Sequence, residues 1–297
     1  MRRLSVLFTC IACAIINSSC RDLEAEADKL EMEAEAAFHS DHSLTDGDST
    51  LTDRSLQNIN DPGLIRLEEK LNRLNFEDSL TRLYQAVGLR KLNLEFKVFR
   101  HAMIGYLGLR QEGRLSDKKL LSIIDFTQTS CDKRFYTIDL ENHEVLFNSL
   151  VSHGRNTGQN EATTFSNRPG SNSSSLGFYV TAETYTGSKG YSLRLDGMDT
   201  GYNDNMRRRA VVMHSAPYVN DTWIKTYGRI GRSQGCPALP NEITKEVIDT
   251  IKDRTVIFAY YEDDDYLKAS NYLDLEKLMS KFDQDRIESD PSHVEIL

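Results

Sequence analysis

Arg209-Ala210-Val211-Val212-Met213-His214-Ser215, followed further along by Gly228-Arg229-Ile230-Gly231-Arg232-Ser233-Gln234-Gly235-Cys236-Pro237-Ala238, is the part of the chain that decides how the rest is read. The first run is apolar and β-branched and reads as a buried strand ending on a histidine. In the second, a glycine stands just before a cysteine and a proline just after it. The thiolate is the attacking form of cysteine, and a nearby imidazole that draws off the proton makes it available. Glycine lets backbone approach closely, so the N–H groups of Gly235 and Cys236 are candidates for an oxyanion hole, and proline fixes the turn that follows. Cys236 is therefore the candidate nucleophile and His214 its candidate base. Two other readings compete: Cys236 as a structural thiol or paired with Cys131, and Ser233 as the nucleophile of the overlapping G-x-S-x-G motif Gly231–Gly235. The serine reading needs a histidine downstream in a strand–turn–helix context, and the sole one after Ser233 is His293, near the end of the chain.

Outward from this pair the pattern is mostly of strands. Leu121–Phe126, Arg134–Leu140 and Val145–Val151 are expected strands, the last two joined as a hairpin through Glu141-Asn142-His143-Glu144. Gly177–Thr184, Tyr191–Leu195 and Thr255–Tyr260 follow, with Gly- and Ser-rich loops from Gly154 to Ser175; Ser171–Ser175 reads as a turn. Asn241 opens an amphipathic helix through Ile243, Val247, Ile248 and Ile251. Before the strands, Leu64, Leu67, Leu71 and Leu74, then Leu80, Leu83, Tyr84 and Val87, recur at helical spacing. A further helix spans about Leu94 to Leu109 and holds His101 as a packed or surface residue. The expected class is α+β: a mainly β catalytic domain with a small packed helix, preceded by a helical N-terminal region.

The chain has 297 residues, a formal net charge of −9 and five cysteines. That balance argues against nucleic acid, which needs a basic face. No zinc-finger, Walker A or dinucleotide-binding pattern occurs, no cluster has ligand spacing, and thiolate chemistry needs no metal, so neither metal nor cofactor is expected. Arg2 and Arg3 precede an apolar stretch, Leu4 to Ile16, too short to span a bilayer. Asn17-Ser18-Ser19-Cys20 follows, and the whole resembles a bacterial lipoprotein signal, with Asn17 as a departure. The resemblance implies export, a lipid on Cys20, and a membrane-anchored protein of the periplasm or outer membrane. The organisation expected is a signal peptide at 1–20, an acidic and polar linker at 21–62, a helical region at 63–115, the catalytic domain at 116–262, and a loosely held acidic tail at 263–297.

The strand-end histidine followed by Ser-x-Gly-Cys resembles the L,D-transpeptidase catalytic domain (YkuD-like), in a divergent branch with Cys-Pro-Ala. Ile124-Asp125-Phe126, Ser152-His153-Gly154-Arg155-Asn156, Ser174-Ser175-Leu176-Gly177-Phe178-Tyr179 and Ser192-Leu193-Arg194-Leu195-Asp196-Gly197 extend the likeness from about Leu121 to Tyr261. It implies an L,D-transpeptidase-like β-sandwich acting on peptidoglycan stem peptides. Cys236 would form a thioester with a stem tetrapeptide and pass it to a stem amine; with water as acceptor the enzyme would be a carboxypeptidase or amidase. A catalytically vestigial peptidoglycan-binding lipoprotein is the reading from another class. By the same likeness the Ser215 carbonyl orients His214, while Ser233 and Gly235 shape the loop. Gln234 and Ala238 depart from the family, which usually has His and Arg there. Arg229 and Arg232 are candidates to hold substrate carboxylates in place of that arginine, with Ser233 and His153 as further candidates to line the substrate site.

Overall fold

The computed structural model describes residues 62–281. The signal-like stretch, Cys20, nearly all of the 21–62 linker and the last part of the acidic tail lie outside the described residues. Leu80–Lys281 forms one compact unit. Among the described residues no helix is long and apolar enough to cross a membrane.

Helix α1, Pro62–Val87, ends at Gly88, whose φ of 72° is the left-handed conformation that closes helices. Its last turns bury Leu80 and Tyr84, and the Tyr84 hydroxyl donates to the Leu94 carbonyl at 2.6 Å. Helix α2, Phe96–Gln111, buries Val98, Phe99, Ala102, Met103, Ile104 and Tyr106. It lies against the strands that follow because Gly105 has no side chain: a Cβ there would stand 2.0 Å from the ring of Phe178. His101, in this helix, stacks on Tyr260 with ring centroids 5.8 Å apart, as a packed residue.

The strands are β1 Leu120–Asp125, β2 Phe135–Asp139, β3 Glu144–Ser149, β4 Gly177–Gly187, β5 Gly190–Gly197, β6 Val212–Ser215, β7 Ala238–Leu239 and β8 Val256–Tyr260. They form one sheet in the order β3-β2-β1-β8-β4-β5-β6-β7. β1 pairs with β8, and β6 with β7, in parallel; the other neighbours are antiparallel. β1 and β8 are buried along their whole length, as strands covered on both faces are; β8 is apolar throughout, and β1 is apolar but for Ser122 and Asp125, both of which are hydrogen-bonded. Phe178 stacks on Phe258 with centroids 4.2 Å apart at the centre of the core. Helix α3, Asp221–Tyr227, lies between β6 and β7, and helix α4, Asn241–Ile251, turns Val247, Ile248 and Ile251 inward.

The two ends of the strand order meet, so the sheet is nearly a barrel. The chain leaving β3 bonds to the segment around β7: the Ser152 N–H donates to the Ala238 carbonyl at 2.9 Å and the Ser233 N–H to the His153 carbonyl at 2.9 Å. A parallel bridge joins Gly154 to Ser233. This closure puts the His153 segment against the cysteine loop, a neighbourhood that no local pattern announces.

The acidic segment beyond Tyr261 corrects the expectation of a loose tail as far as it is described. Helix α5, Asp264–Ala269, buries Tyr266 completely, and Leu275 and Leu278 are buried as well. Ser270 and Tyr266 donate to the carboxylate of buried Asp199, which also accepts the Phe178 N–H at 2.7 Å.

Candidate active site

β6 presents His214 in register with Ala238 of β7. Two residues earlier along each segment, ahead of β7, Cys236 falls beside Val212, whose N–H reaches the Cys236 Sγ at 3.5 Å. Side chains two apart on a strand share a face, so Val212 and His214 project the same way, about 6–7 Å apart along β6. The thiol lies beside the first of these positions and the imidazole stands on the second.

The imidazole has a defined tautomer. His214 Nδ1 lies 2.7 Å from the Ser215 carbonyl oxygen. A carbonyl only accepts, so Nδ1 carries the proton and Nε2 keeps a lone pair. Among the described residues Nε2 has no hydrogen-bond partner, which is the condition of a base awaiting a proton. His214 is 4% exposed, and burial lowers its pKa below the ordinary histidine value, against the raising effect of the Ser215 bond. Burial pushes the Cys236 thiol up, while the Val212 N–H and then the charges of Arg209 and Lys189 pull it down less strongly. Both shifts favour the neutral form of the group. This arrangement suits proton transfer during attack, in place of a standing thiolate–imidazolium pair.

The loop before the cysteine is latched from within. Ser233 Oγ donates to the Cys236 carbonyl at 2.6 Å and accepts the Gly235 N–H at 3.0 Å. Its hydroxyl is engaged by both bonds, so Ser233 shapes the loop. Because the Gly235 N–H is taken by Ser233, it is not free as an oxyanion donor; the Cys236 N–H, without a partner among the described residues, is. What Gly235 supplies is conformation. Its φ is +117°, and a Cβ there would stand 2.7 Å from the Ser173 carbonyl oxygen.

Ser173 belongs to the serine-rich segment expected to be a turn. It is instead a buried wall, with Ser173, Ser174 and Ser175 each 3% exposed. Arg209 holds this wall in place. Its Nη1 donates to the Ser166 carbonyl at 2.8 Å and to Ser175 Oγ at 2.6 Å, and its Nη2 donates to Ser171 Oγ and to the Ser173 carbonyl. Nothing in sequence spacing singles Arg209 out, since its guanidinium joins segments distant along the chain. Ala210 follows it at φ 52°, a left-handed conformation rare for a residue with a side chain, and its carbonyl faces the thiol.

His153 is corrected as a substrate-lining residue. It is fully buried, and its Nδ1 lies 2.7 Å from Arg134 Nη2. Ala238, where the family pattern usually has arginine, is fully buried in an apolar cluster with Leu150, Ala216, Val219 and Ile230. Arg229 and Arg232 stand beside the loop: Arg232 Nη1 donates to the carbonyls of Arg155 and Gly158, and Arg229 Nη1 to that of Ile230. Cys131 and Cys236 are both free thiols, which removes the disulfide reading, and Cys131 Sγ instead meets the Gly228 carbonyl at 3.4 Å. Among the described residues no group of three or more His, Cys, Asp or Glu is placed to hold a metal ion.

A family model described as an L,D-transpeptidase catalytic domain matches residues 90–260, more than half of the chain. No curated protein sequence matches. Among solved structures, an L,D-transpeptidase from Mycobacterium smegmatis is similar at 16% identity and a TM-score of 0.30, over 48% of this chain and 59% of that one. An L,D-transpeptidase from Stackebrandtia nassauensis is similar at 14% identity and 0.30, over 53% and 68%. The helical cell shape determining protein from Campylobacter jejuni is similar at 14% identity and 0.33, over 55% and 56%. The chain thus spans less than two thirds of the length of the mycobacterial protein.

Proposed function

The chain belongs to the L,D-transpeptidase catalytic domain family, and on that premise we propose that it is a cysteine acyltransferase of peptidoglycan stem peptides. The observation that carries the reading is the tautomer of His214: with Nδ1–H held by the Ser215 carbonyl, Nε2 is a free base on the strand that flanks Cys236.

In the first step Cys236 Sγ attacks the carbonyl carbon of the peptide bond before the terminal residue of a donor tetrapeptide. The thiol proton passes to His214 Nε2 as the C–S bond forms. The negative charge on the former carbonyl oxygen is met by the Cys236 N–H. When the C–N bond breaks, the imidazolium returns its proton to the leaving amine, and the terminal residue departs, leaving a thioester. In the second step the side-chain amine of an acceptor stem attacks the thioester carbonyl. His214 takes a proton from that amine, the C–S bond breaks, and the thiolate recovers the proton. The products are a cross-linked peptide and free enzyme. Water in place of the amine completes the same cycle as a hydrolysis.

Export and a lipid anchor on Cys20 belong to the same proposal, supported by the basic, apolar and small-residue order of the N-terminal stretch. The test is incubation of the purified chain with disaccharide-tetrapeptide stems, products read by mass spectrometry, beside Cys236→Ala. Cross-linked dimers that vanish in the variant support transpeptidation, trimmed monomers alone make the enzyme a hydrolase, and unchanged substrate in both samples overturns the reading.

A further inference from the structure

Beside the cysteine loop lies an open cleft of about 430 Å³ walled by Arg155, Arg229, Arg232, Tyr218, Trp223 and Tyr227. Its aromatic side is built by α3. The Asn220 side chain accepts the Trp223 N–H and opens the helix, and Gly228 at φ 71° closes it. Trp223 meets Tyr227 at 4.8 Å and Tyr218 at 6.3 Å between ring centroids, so the three rings make a continuous face. Tyr218 packs on bare Gly231, where a Cβ would stand 2.4 Å from its ring. Tyr227 is 60% exposed, with its ring open to solvent.

The other side is cationic and uncompensated. The chain carries 45 acidic residues against 36 lysines and arginines. Among the described residues, none of the three arginines nevertheless has a carboxylate within 4.0 Å. Burial, and then the charge of Arg229, lower the pKa of Arg232, so these two guanidiniums repel each other without an anion between them. Each of the two commits Nη1 to backbone carbonyls. The rest of each fork, and the whole Arg155 side chain, have no protein partner among the described residues. Guanidinium forks match carboxylates in geometry as well as charge, and aromatic faces take the aliphatic part of a ligand.

We propose that this cleft recognises the free carboxylates of a peptidoglycan stem peptide, with Arg155, Arg229 and Arg232 on the carboxylates and the Trp223–Tyr227 face under the aliphatic chain. The choice of a stem peptide rests on the transpeptidase reading above; the anion-plus-ring chemistry does not. The cleft adjoins the nucleophile through the loop from Gly228 to Cys236. Tyr218 lines the cleft and lies near enough to Cys236 that a negative charge on the sulfur would add to burial in raising the phenol.

Trp223 is the chain's single tryptophan, so its fluorescence reports on the cleft alone. The test titrates the Cys236→Ser chain with three probes: a stem tetrapeptide with free carboxylates, the same peptide with every carboxylate amidated, and the disaccharide without peptide. Saturable change in Trp223 emission with the free acid, weakened by salt, is the expected result, with the amide and the disaccharide binding at least about 10-fold more weakly. Arg155→Gln combined with Arg229→Gln weakens the acid by about 10-fold or more. Arg155→Gln alone, at a side chain with no hydrogen bond or ion pair among the described residues, shows the same direction if the double variant does not fold. Equal binding of acid and amide, tighter binding of the disaccharide, an unresponsive Trp223, or unchanged affinity in the arginine variants would each overturn the proposal. Because this chain cannot turn over, a silent Trp223 in a protein whose intact form makes product defeats the cleft alone. A responsive Trp223 without product defeats the transpeptidase reading alone.

Discussion

The surroundings of His153 and of His214 make a controlled pair. Each histidine adjoins the cysteine-loop neighbourhood, each is nearly or fully buried, and burial lowers the pKa of both. They differ in the bookkeeping of two nitrogen atoms. Around His153, Arg134 only donates, so Nδ1 must accept, Nε2 must carry the proton, and that N–H points at the Gly158 carbonyl at 3.4 Å. Both nitrogens are spent. Around His214 one nitrogen is tied to a carbonyl and the other keeps its lone pair. Burial and a lowered pKa therefore do not separate the two histidines; the free second nitrogen does, and it is what supports the base role we propose for His214.

The same substitution at both positions tests this most directly. Asparagine places a polar atom near the site of Nδ1 and nothing at Nε2. His214→Asn keeps a donor for the Ser215 carbonyl and loses the base, and product formation should fall by at least about 10²–10⁴-fold. His153→Asn keeps an acceptor for Arg134 and should leave turnover within a few-fold. Equal losses in a parallel assay of the two variants would break the contrast.

Removing the polar atom at the closed site should instead cost stability. Arg134 is fully buried, and burial holds its pKa down to about 9; its fork donates to the carbonyls of Val151 and Gln128 besides His153. His153→Leu strips one acceptor from that buried cation, and the unfolding free energy should drop by about 2–3 kcal/mol in a denaturant titration. A neutral result would mean that Arg134 does not depend on the histidine.

Gly235→Ala probes the open site from the thiol's side. The left-handed φ and the approach of the Ser173 carbonyl forbid a Cβ without movement of the loop, so about 1–3 kcal/mol of stability should be lost. The loss of product formation should exceed what the unfolded fraction explains. Wild-type activity at full folding would show that the thiol does not depend on this turn.

The most gradual effect is the pH response, small within any one pH unit, and it sharpens the comparison. Burial first, then the charge of Arg134, push His153 down to about 3, whereas an unfolded histidine titrates near 6.5. Below about pH 6.5 the unfolded chain takes up a proton that the folded chain refuses. Stability from this group is thus fully present above that pH and lost on acidification towards 3, by at most about 1.4 kcal/mol per pH unit. His153→Asn should flatten that slope in denaturation curves run at successive pH values. The lowered pKa of His214 should appear in the rate instead, as an acid limb of kcat/KM lying below the ordinary histidine value. A limb above pH 7 would contradict the burial of His214.

Much of this architecture was readable from local pattern. A short apolar run marked β1, the Glu141–Glu144 connection marked the β2–β3 hairpin, and the spacing of Val247, Ile248 and Ile251 marked the face of α4. The short helix α3 went unread, although Asn220 at its start and Gly228 after its end are the usual capping residues. α5 went unread because a run of Asp and Glu looks solvated until Tyr266 and Ser270 are seen bonded to Asp199.

For the site, chemistry along the chain singled out Cys236, His214 and the special backbone at Gly235, and the family resemblance added the Ser215 carbonyl. Reactivity depends first on side-chain type and near neighbours, and both are written in sequence. The outcome for His153, the latching role of Ser233, the grip of Arg209 on the serine wall and the gathering of three arginines beside Trp223 were settled by folding. Each depends on which donor or acceptor is already occupied by a partner from a distant segment. That occupancy exists only once the sheet has curled and brought the chain after β3 against β7.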